Sequence, residues 1–279
     1  MKKSKLKENL KYVLIFLVGF AVAMYPLISR LYYRIEANSV VHDFDTTAKK
    51  IDKKEIDRRI RLAQIYNKTL DPSKLADPYS EKEKKNAISE YARMLEVKEK
   101  IGHVEIPKIN QDLPIYAGTS EEVLQKGVGH LEGTSLPVGG KGTHTVLTAH
   151  RGLPTAKLFT DLNKMKKGDV FYIHNIKEVL AYKVIDIFVV EPSDFDKVLV
   201  VEGKDYCTLL TCTPYMINSH RLLVRAERTE YNPAAVEKDL VSQVTGKYKI
   251  YLIISLIIIA ILLWYYIRQR RRKKNNEIK

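Results

Sequence analysis

The residues best suited to chemistry in this chain lie in Thr211-Cys212-Thr213-Pro214-Tyr215 and Ser219-His220-Arg221-Leu222-Leu223-Val224. An apolar run from Tyr206 ends in the cysteine, a short turn follows, and an arginine opens a second apolar run. Paired as a hairpin around residues 213–220, the two runs set Cys212 opposite Arg221. Opposed residues of antiparallel strands point to one face, with Cβ atoms about 4.5–5.5 Å apart. An isolated thiol, of pKa about 8.5, is only a few per cent thiolate at neutral pH. A permanent cation beside it favours the charged nucleophile. The same residues also fit a plainer arrangement, in which a buried cysteine closes a strand and the arginine sits in solvent.

A third element adds a base. Thr143-His144-Thr145-Val146-Leu147-Thr148-Ala149-His150 alternates like a strand and ends in a titratable residue, just before Gly152 and Pro154 interrupt any ladder. Converging strand ends would bring base, nucleophile and electrophilic stabiliser to one mouth of a sheet. The other histidines compete less well. His220 adjoins Arg221, so its side chain faces the other way on a strand. His144 shares the face of His150 but stands about 20 Å away along an extended strand. His130 ends a different run, and His42, His103 and His174 show no pairing pattern. Cys207 points away from Cys212 at a strand distance of about 17 Å, whereas a disulfide needs Cα atoms within about 7 Å. Cys207 is therefore expected in the core and Cys212 as a free thiol. No His, Cys, Asp and Glu grouping shows zinc spacing, so no metal is expected.

Leu147-Thr148-Ala149-His150-Arg151-Gly152 and Thr211-Cys212-Thr213-Pro214-Tyr215, with Arg221 nine residues after the cysteine, resemble a sortase. Over most of residues 40–270 the chain is similar to the class C, pilin-polymerising sortases of Gram-positive bacteria. Gly127-Val128-Gly129-His130-Leu131-Glu132-Gly133-Thr134-Ser135 and Leu153-Pro154-Thr155-Ala156-Lys157-Leu158-Phe159 extend the likeness. The resemblance implies Cys212, His150 and Arg221 as catalytic residues. It also implies that Asp77-Pro78-Tyr79 is a lid, with Asp77 on Arg221 and Tyr79 over Cys212; a plain turn is the alternative. It implies cleavage of an LPXTG-like sorting signal between Thr and Gly, and transfer to an acceptor lysine of a pilin subunit. A housekeeping sortase serving cell-wall peptide, a cysteine peptidase and a non-enzymatic pilus scaffold remain as other readings.

The elements that must position these residues follow from hydrophobic periodicity. Short apolar alternations between turns predict strands near 101–106, 113–117, 128–131, 144–149, 169–175, 179–190, 205–211 and 221–228. Eight strands with few long helices suggest a closed or nearly closed barrel. The fold expected is mainly β: an eight-stranded sortase-type β-barrel with N-terminal helices and a transmembrane helix at each end. An amphipathic helix is expected over 45–68, another over 81–95, and short ones over 120–126 and 156–165.

Two uncharged 18-residue runs, Tyr12–Ser29 and Ile250–Ile267, are just long enough to span a bilayer as helices. The net charge of +14 is concentrated in the tails: residues 1–11 carry +4 and residues 268–279 carry +6. That is the positive-inside pattern, not a nucleic-acid signature. The expected organisation is a cytoplasmic tail (1–11), an N-terminal anchor (12–33), a helical region with the lid loop (34–98), the catalytic barrel (99–230), a stalk (231–247), a second membrane helix (248–267) and a basic cytoplasmic tail (268–279). The first apolar run could instead be a cleaved signal peptide; its length favours an anchor. The catalytic domain would then face the outside of a Gram-positive cell, with the membrane and pilin subunits as partners and no nucleic acid.

Overall fold

A computed structural model describes residues 2–70 and 94–233 of the protein. The first compact unit ends at Tyr231, and the fold below is that of this unit. Its centre is a closed barrel of eight strands: β1 (Lys100–Ile106), β2 (Gln111–Ala117), β3 (Val128–His130), β4 (Thr143–Thr148), β5 (Val170–His174), β6 (Val179–Val190), β7 (Asp205–Thr213) and β8 (His220–Thr229). Around the barrel the order is β1-β2-β3-β4-β7-β8-β6-β5. β2 pairs with β3 and β4 with β7 in parallel; every other neighbouring pair is antiparallel. All eight expected strands are present, and closure leaves the sheet without an open edge.

Alternation along the strands sorts side chains to two faces. Cys207 and Leu209 of β7, Leu222 and Val224 of β8, and Leu147 of β4 point into the barrel core. Val146, Leu210 and Leu223, one residue out of phase, point outward. There they form a smaller cluster with Leu131 and Val198, against which Phe188, Val190 and Phe195 pack. β4, paired between β3 and β7, is buried along its whole length. At Gly102 an added Cβ would stand 2.4 Å from the carbonyl oxygen of His174, so the closing contact of β1 with β5 requires glycine.

Helix α1 runs unbroken from Lys2 to Ala48. The 45–68 helix expected from periodicity is thus two: the end of α1, and α2 (Lys53–Lys68), which starts at an Asp52 cap accepting from the Lys54 amide. Residues 14–28 of α1 are largely exposed, and the helix is long and apolar enough to cross a membrane. Farther along, Ala37, Val41, Phe44 and Ala48 form a buried stripe at helical spacing. Asn67 of α2 is buried and pairs twice with the backbone of Leu136, donating to its carbonyl at 3.2 Å and accepting from its amide at 2.8 Å. α3 (Glu121–Lys126) follows its Ser120 cap as expected.

The helix expected over 156–165 does not form. The amide of Phe159 donates to the carbonyl of His150, the carbonyl of Thr160 accepts from Arg151, and Leu158 takes a left-handed φ of 39°. These groups fold the segment back onto the end of β4, so they cannot serve a helical ladder. Only residues 162–164 make a single 3-10 turn. The expected lid, the 81–93 stretch, and the second apolar run lie outside the described residues.

Candidate active site

Cys212 is the penultimate residue of β7, and the register sets it directly opposite Arg221, the second residue of β8. The hairpin pairing is therefore the expected one. Arg221 pairs in turn with Val190 of β6. On the other side β4 runs parallel to β7 with Thr148 beside Leu210. Pairing continues past the strand: the Ala149 amide donates to Leu210, and the Thr211 hydroxyl donates to the Ala149 carbonyl at 2.7 Å. Two residues beyond Thr148, His150 comes level with Cys212, two residues beyond Leu210. Adjacent strands lie about 4.8 Å apart, so His150, Cys212, Arg221 and Val190 form one row across four strands. Cys212, Arg221 and Val190 lie on the barrel's outer face, next to the outer apolar cluster.

Burial differs along the row. Cys212 is 6% exposed and Arg221 7%, while the His150 side chain keeps 19% of its surface in solvent. The Arg221 guanidinium donates to the carbonyls of Asn218 (2.9 Å) and His220 (3.1 Å), which fastens it to the turn that joins β7 to β8. The Nε2 of His150 lies 3.2 Å from Oε1 of Glu121 at the start of α3. Arg151 ties the two strand ends together: it donates to the Thr213 hydroxyl at 2.9 Å and to the Thr160 carbonyl at 3.3 Å.

The remaining thiol and histidines are placed for other work. Cys207 lies in the barrel core, where burial, and then the Asp205 carboxylate, push its thiol well above the ordinary range. His144 is buried; burial lowers its pKa to about 4, its Nδ1 donates to Leu199, and its Nε2 accepts from the Thr208 hydroxyl. His130 is likewise driven to about 4 by burial, and its Nε2 donates to the Ser135 carbonyl. Both are neutral structural hydrogen-bonders. His220 reaches Glu191 at 3.2 Å. His103 and His174, which show no pairing pattern in the sequence, are cross-strand neighbours stacked at 4.1 Å, and His103 bridges Asp112 and Asp45.

Glu121 and Arg151 were not singled out from the sequence. Glu121 lies 29 residues from His150, and nothing local links them. Arg151 had a signal, since it adjoins the candidate base in the quoted motif. Among the described residues no cluster of His, Cys, Asp and Glu could hold a metal.

A family model described as Sortase domain matches residues 104–229, the span that holds the whole row. Sortase C-1 from Streptococcus pneumoniae is 60% identical, superposes with a TM-score of 0.68, and is covered over 100% of its chain by 70% of this one. The chain belongs to the sortase family. A pilus-related sortase C of Group B Streptococcus is also 60% identical, with a TM-score of 0.66, over 68% of this chain and 97% of that one. Sortase A of Bacillus anthracis is 33% identical over 135 residues, 48% of this chain. The sortase spans 61% of the length of that curated relative. Its fold thus sits among pilus-related sortase C structures.

Proposed function

We propose that this sortase is a membrane-anchored cysteine transpeptidase that polymerises pili. The row of His150, Cys212 and Arg221 carries the reading. The Cys212 thiolate attacks the threonine carbonyl of an LPXTG-like sorting signal. Arg221, which cannot lose its charge, stabilises the oxyanion that forms. As the Thr–Gly bond breaks, His150 donates a proton to the departing glycine amine, leaving a thioester on Cys212. An acceptor lysine of a second pilin then attacks the thioester, His150 takes its proton, and an isopeptide bond replaces the C–S bond. The thioester preserves the energy of the broken peptide bond, so the two steps need no cofactor.

In this reading α1 anchors the enzyme, the basic tails remain in the cytoplasm, residues 250–267 form a second span, and the barrel works outside the cell. Asp77-Pro78-Tyr79 closes the site between turnovers: a carboxylate masks the guanidinium and a ring shields the thiol. Asp77→Ala and Tyr79→Ala are expected to speed modification of Cys212 by a thiol reagent; equal labelling rates in both variants and the parent would remove the lid. The central test is to incubate the enzyme with a pilin-derived sorting peptide and locate the acyl adduct by mass spectrometry. It is expected on Cys212 and absent from Cys212→Ala. An adduct elsewhere, or product formed by Cys212→Ala, would overturn the assignment.

A further inference from the structure

The contacts along α1 fix which end of the barrel faces the end of the apolar run. Arg30, one residue past the uncharged stretch, donates to the carbonyl of Pro154, and Tyr33 donates to that of Lys126. Nearly three turns later Asp43 pairs with Lys98 and approaches Lys100 at the start of β1, while Asn110, beyond the end of β1, accepts from Arg34. β1 therefore runs antiparallel to α1. Following the pairings round, β2 and β3 start at the Arg30 end, and β4 and β7 finish there. His150 and Cys212 stand at those finishing ends.

The turn beyond Cys212 carries an apolar tip. Tyr215 is 45% exposed, Met216 69% and Ile217 71%. It is seated on the segment that Arg30 grips: a Cβ at Gly152 would meet the Tyr215 ring at 3.2 Å and the Met216 sulfur at 3.4 Å. Arg151 bonds Thr213, and its guanidinium lies 6.0 Å from the centre of the Tyr215 ring. Gly152 and Pro154 are two residues apart, at most about 7 Å of chain. Three adjacent exposed apolar side chains at a loop tip are unusual on a surface that meets only water. A tyrosine with aliphatic neighbours suits the headgroup boundary of a bilayer.

We propose that the turn Tyr215-Met216-Ile217 rests in the outer-leaflet headgroup region, held there by a single helix that both crosses the bilayer and docks along the barrel. This rests on α1 being a membrane anchor. The active-site mouth then opens at the lipid surface, and its substrates are polypeptides presented within reach of the membrane. Neither the turn's apolar tip nor the grip of Arg30 on Pro154 is needed for the chemistry of the row itself.

The full chain, as Cys212→Ala, is placed in phosphatidylcholine–phosphatidylglycerol vesicles with one added cysteine carrying an environment-sensitive fluorophore. The probe is a lipid with a nitroxide on its headgroup or acyl chain. Ile217→Cys is expected to lose emission to the headgroup nitroxide, Tyr25→Cys to the acyl-chain nitroxide, and Glu202→Cys, at the opposite end of β7, to neither. Quenching at Tyr25 with none at Ile217 overturns the proposal while α1 remains an anchor. So does an Ile217 label that ignores lipid but responds to a sorting peptide, which would make the turn a substrate contact. No quenching at Tyr25 removes the anchor, and the proposal with it. Met216→Cys repeats the reading at a second position of the turn.

Discussion

At the scale of single residues, the row proposed as catalytic joins a buried pair, Cys212 and Arg221, to a more open histidine, His150. Arg221 is held by two backbone carbonyls, so its geometry is set by the hairpin. His150 sits beyond the last residue of its strand, and its side chain needs support from elsewhere. The Glu121 carboxylate at 3.2 Å supplies it, orienting the ring. General acid–base catalysis contributes about 10²–10⁴ in rate, so His150→Ala should lose an amount in that range. Glu121→Gln keeps size and hydrogen bonding but removes the charge. It should lower kcat on a sorting peptide by less than His150→Ala does, with KM nearly unchanged. Steady-state kinetics for the parent and both variants decide this. A Glu121→Gln kcat equal to the parent's would reduce the contact to surface packing.

At the scale of elements, a charged knot fastens the end of α1 to β1, β2 and β5. His103 is nearly fully buried beneath Asp45 of α1, with its Nδ1 2.6 Å from Asp112 of β2 and its ring stacked on His174 of β5. Burial alone would hold the ring neutral; the bonds and charges of Asp112 and Asp45 overcome it and raise the pKa to about 9. The folded state thus keeps a proton that the unfolded chain, near 6.5, gives up. The stabilisation is complete below about pH 6.5 and is lost as pH rises through 9. Because both carboxylates are partly exposed, the effect should be on the order of 2 kcal/mol. Denaturant unfolding in detergent should show stability falling between pH 6.5 and 9, and Asp112→Asn should flatten that fall; a parent curve flat over the window would contradict it. Such knots were invisible in the sequence because residues 45, 103, 112 and 174 meet only when the barrel closes. Strands were legible because alternation and turns are local signals, and so was Cys212 opposite Arg221, since one short hairpin joins them. His150 beside Cys212 was different. A parallel pairing of segments 62 residues apart leaves no local mark, and only the family resemblance tied them. The continuity of α1 was missed for the opposite reason. Arg30 looked like a boundary by charge, yet no glycine or proline interrupts residues 30–48, and the helix runs on to pack its buried stripe against the barrel.

For the whole molecule, that continuity lets α1, in the proposed reading, act as a strut as well as a tether. A helix of 47 residues, here with Pro26 inside it, rises about 70 Å, and its final stretch is bonded to the barrel from Arg30 to Asp45. With α1 as the anchor, a flexible linker would let the barrel unit tumble above the bilayer, whereas a helix that continues into the barrel contacts constrains its height and tilt. The distinction matters only for substrates that are themselves held at the membrane, because a free peptide reaches the row from any direction. A Gly-Ser-Gly-Ser-Gly insertion between Ser29 and Arg30 separates the two roles while leaving every contact from Arg30 onward in place. In vesicles, the insertion should leave kcat/KM for a soluble sorting peptide unchanged. It should lower kcat/KM for the same sorting signal carried on a membrane-anchored polypeptide, because the mouth no longer dwells at the height where that signal is presented. Shortening the spacer between signal and membrane should deepen the difference. If the ratio of the two values is the same with and without the insertion, the helix only retains the enzyme at the surface, and the orientation set by Arg30, Tyr33 and Arg34 has no part in substrate capture.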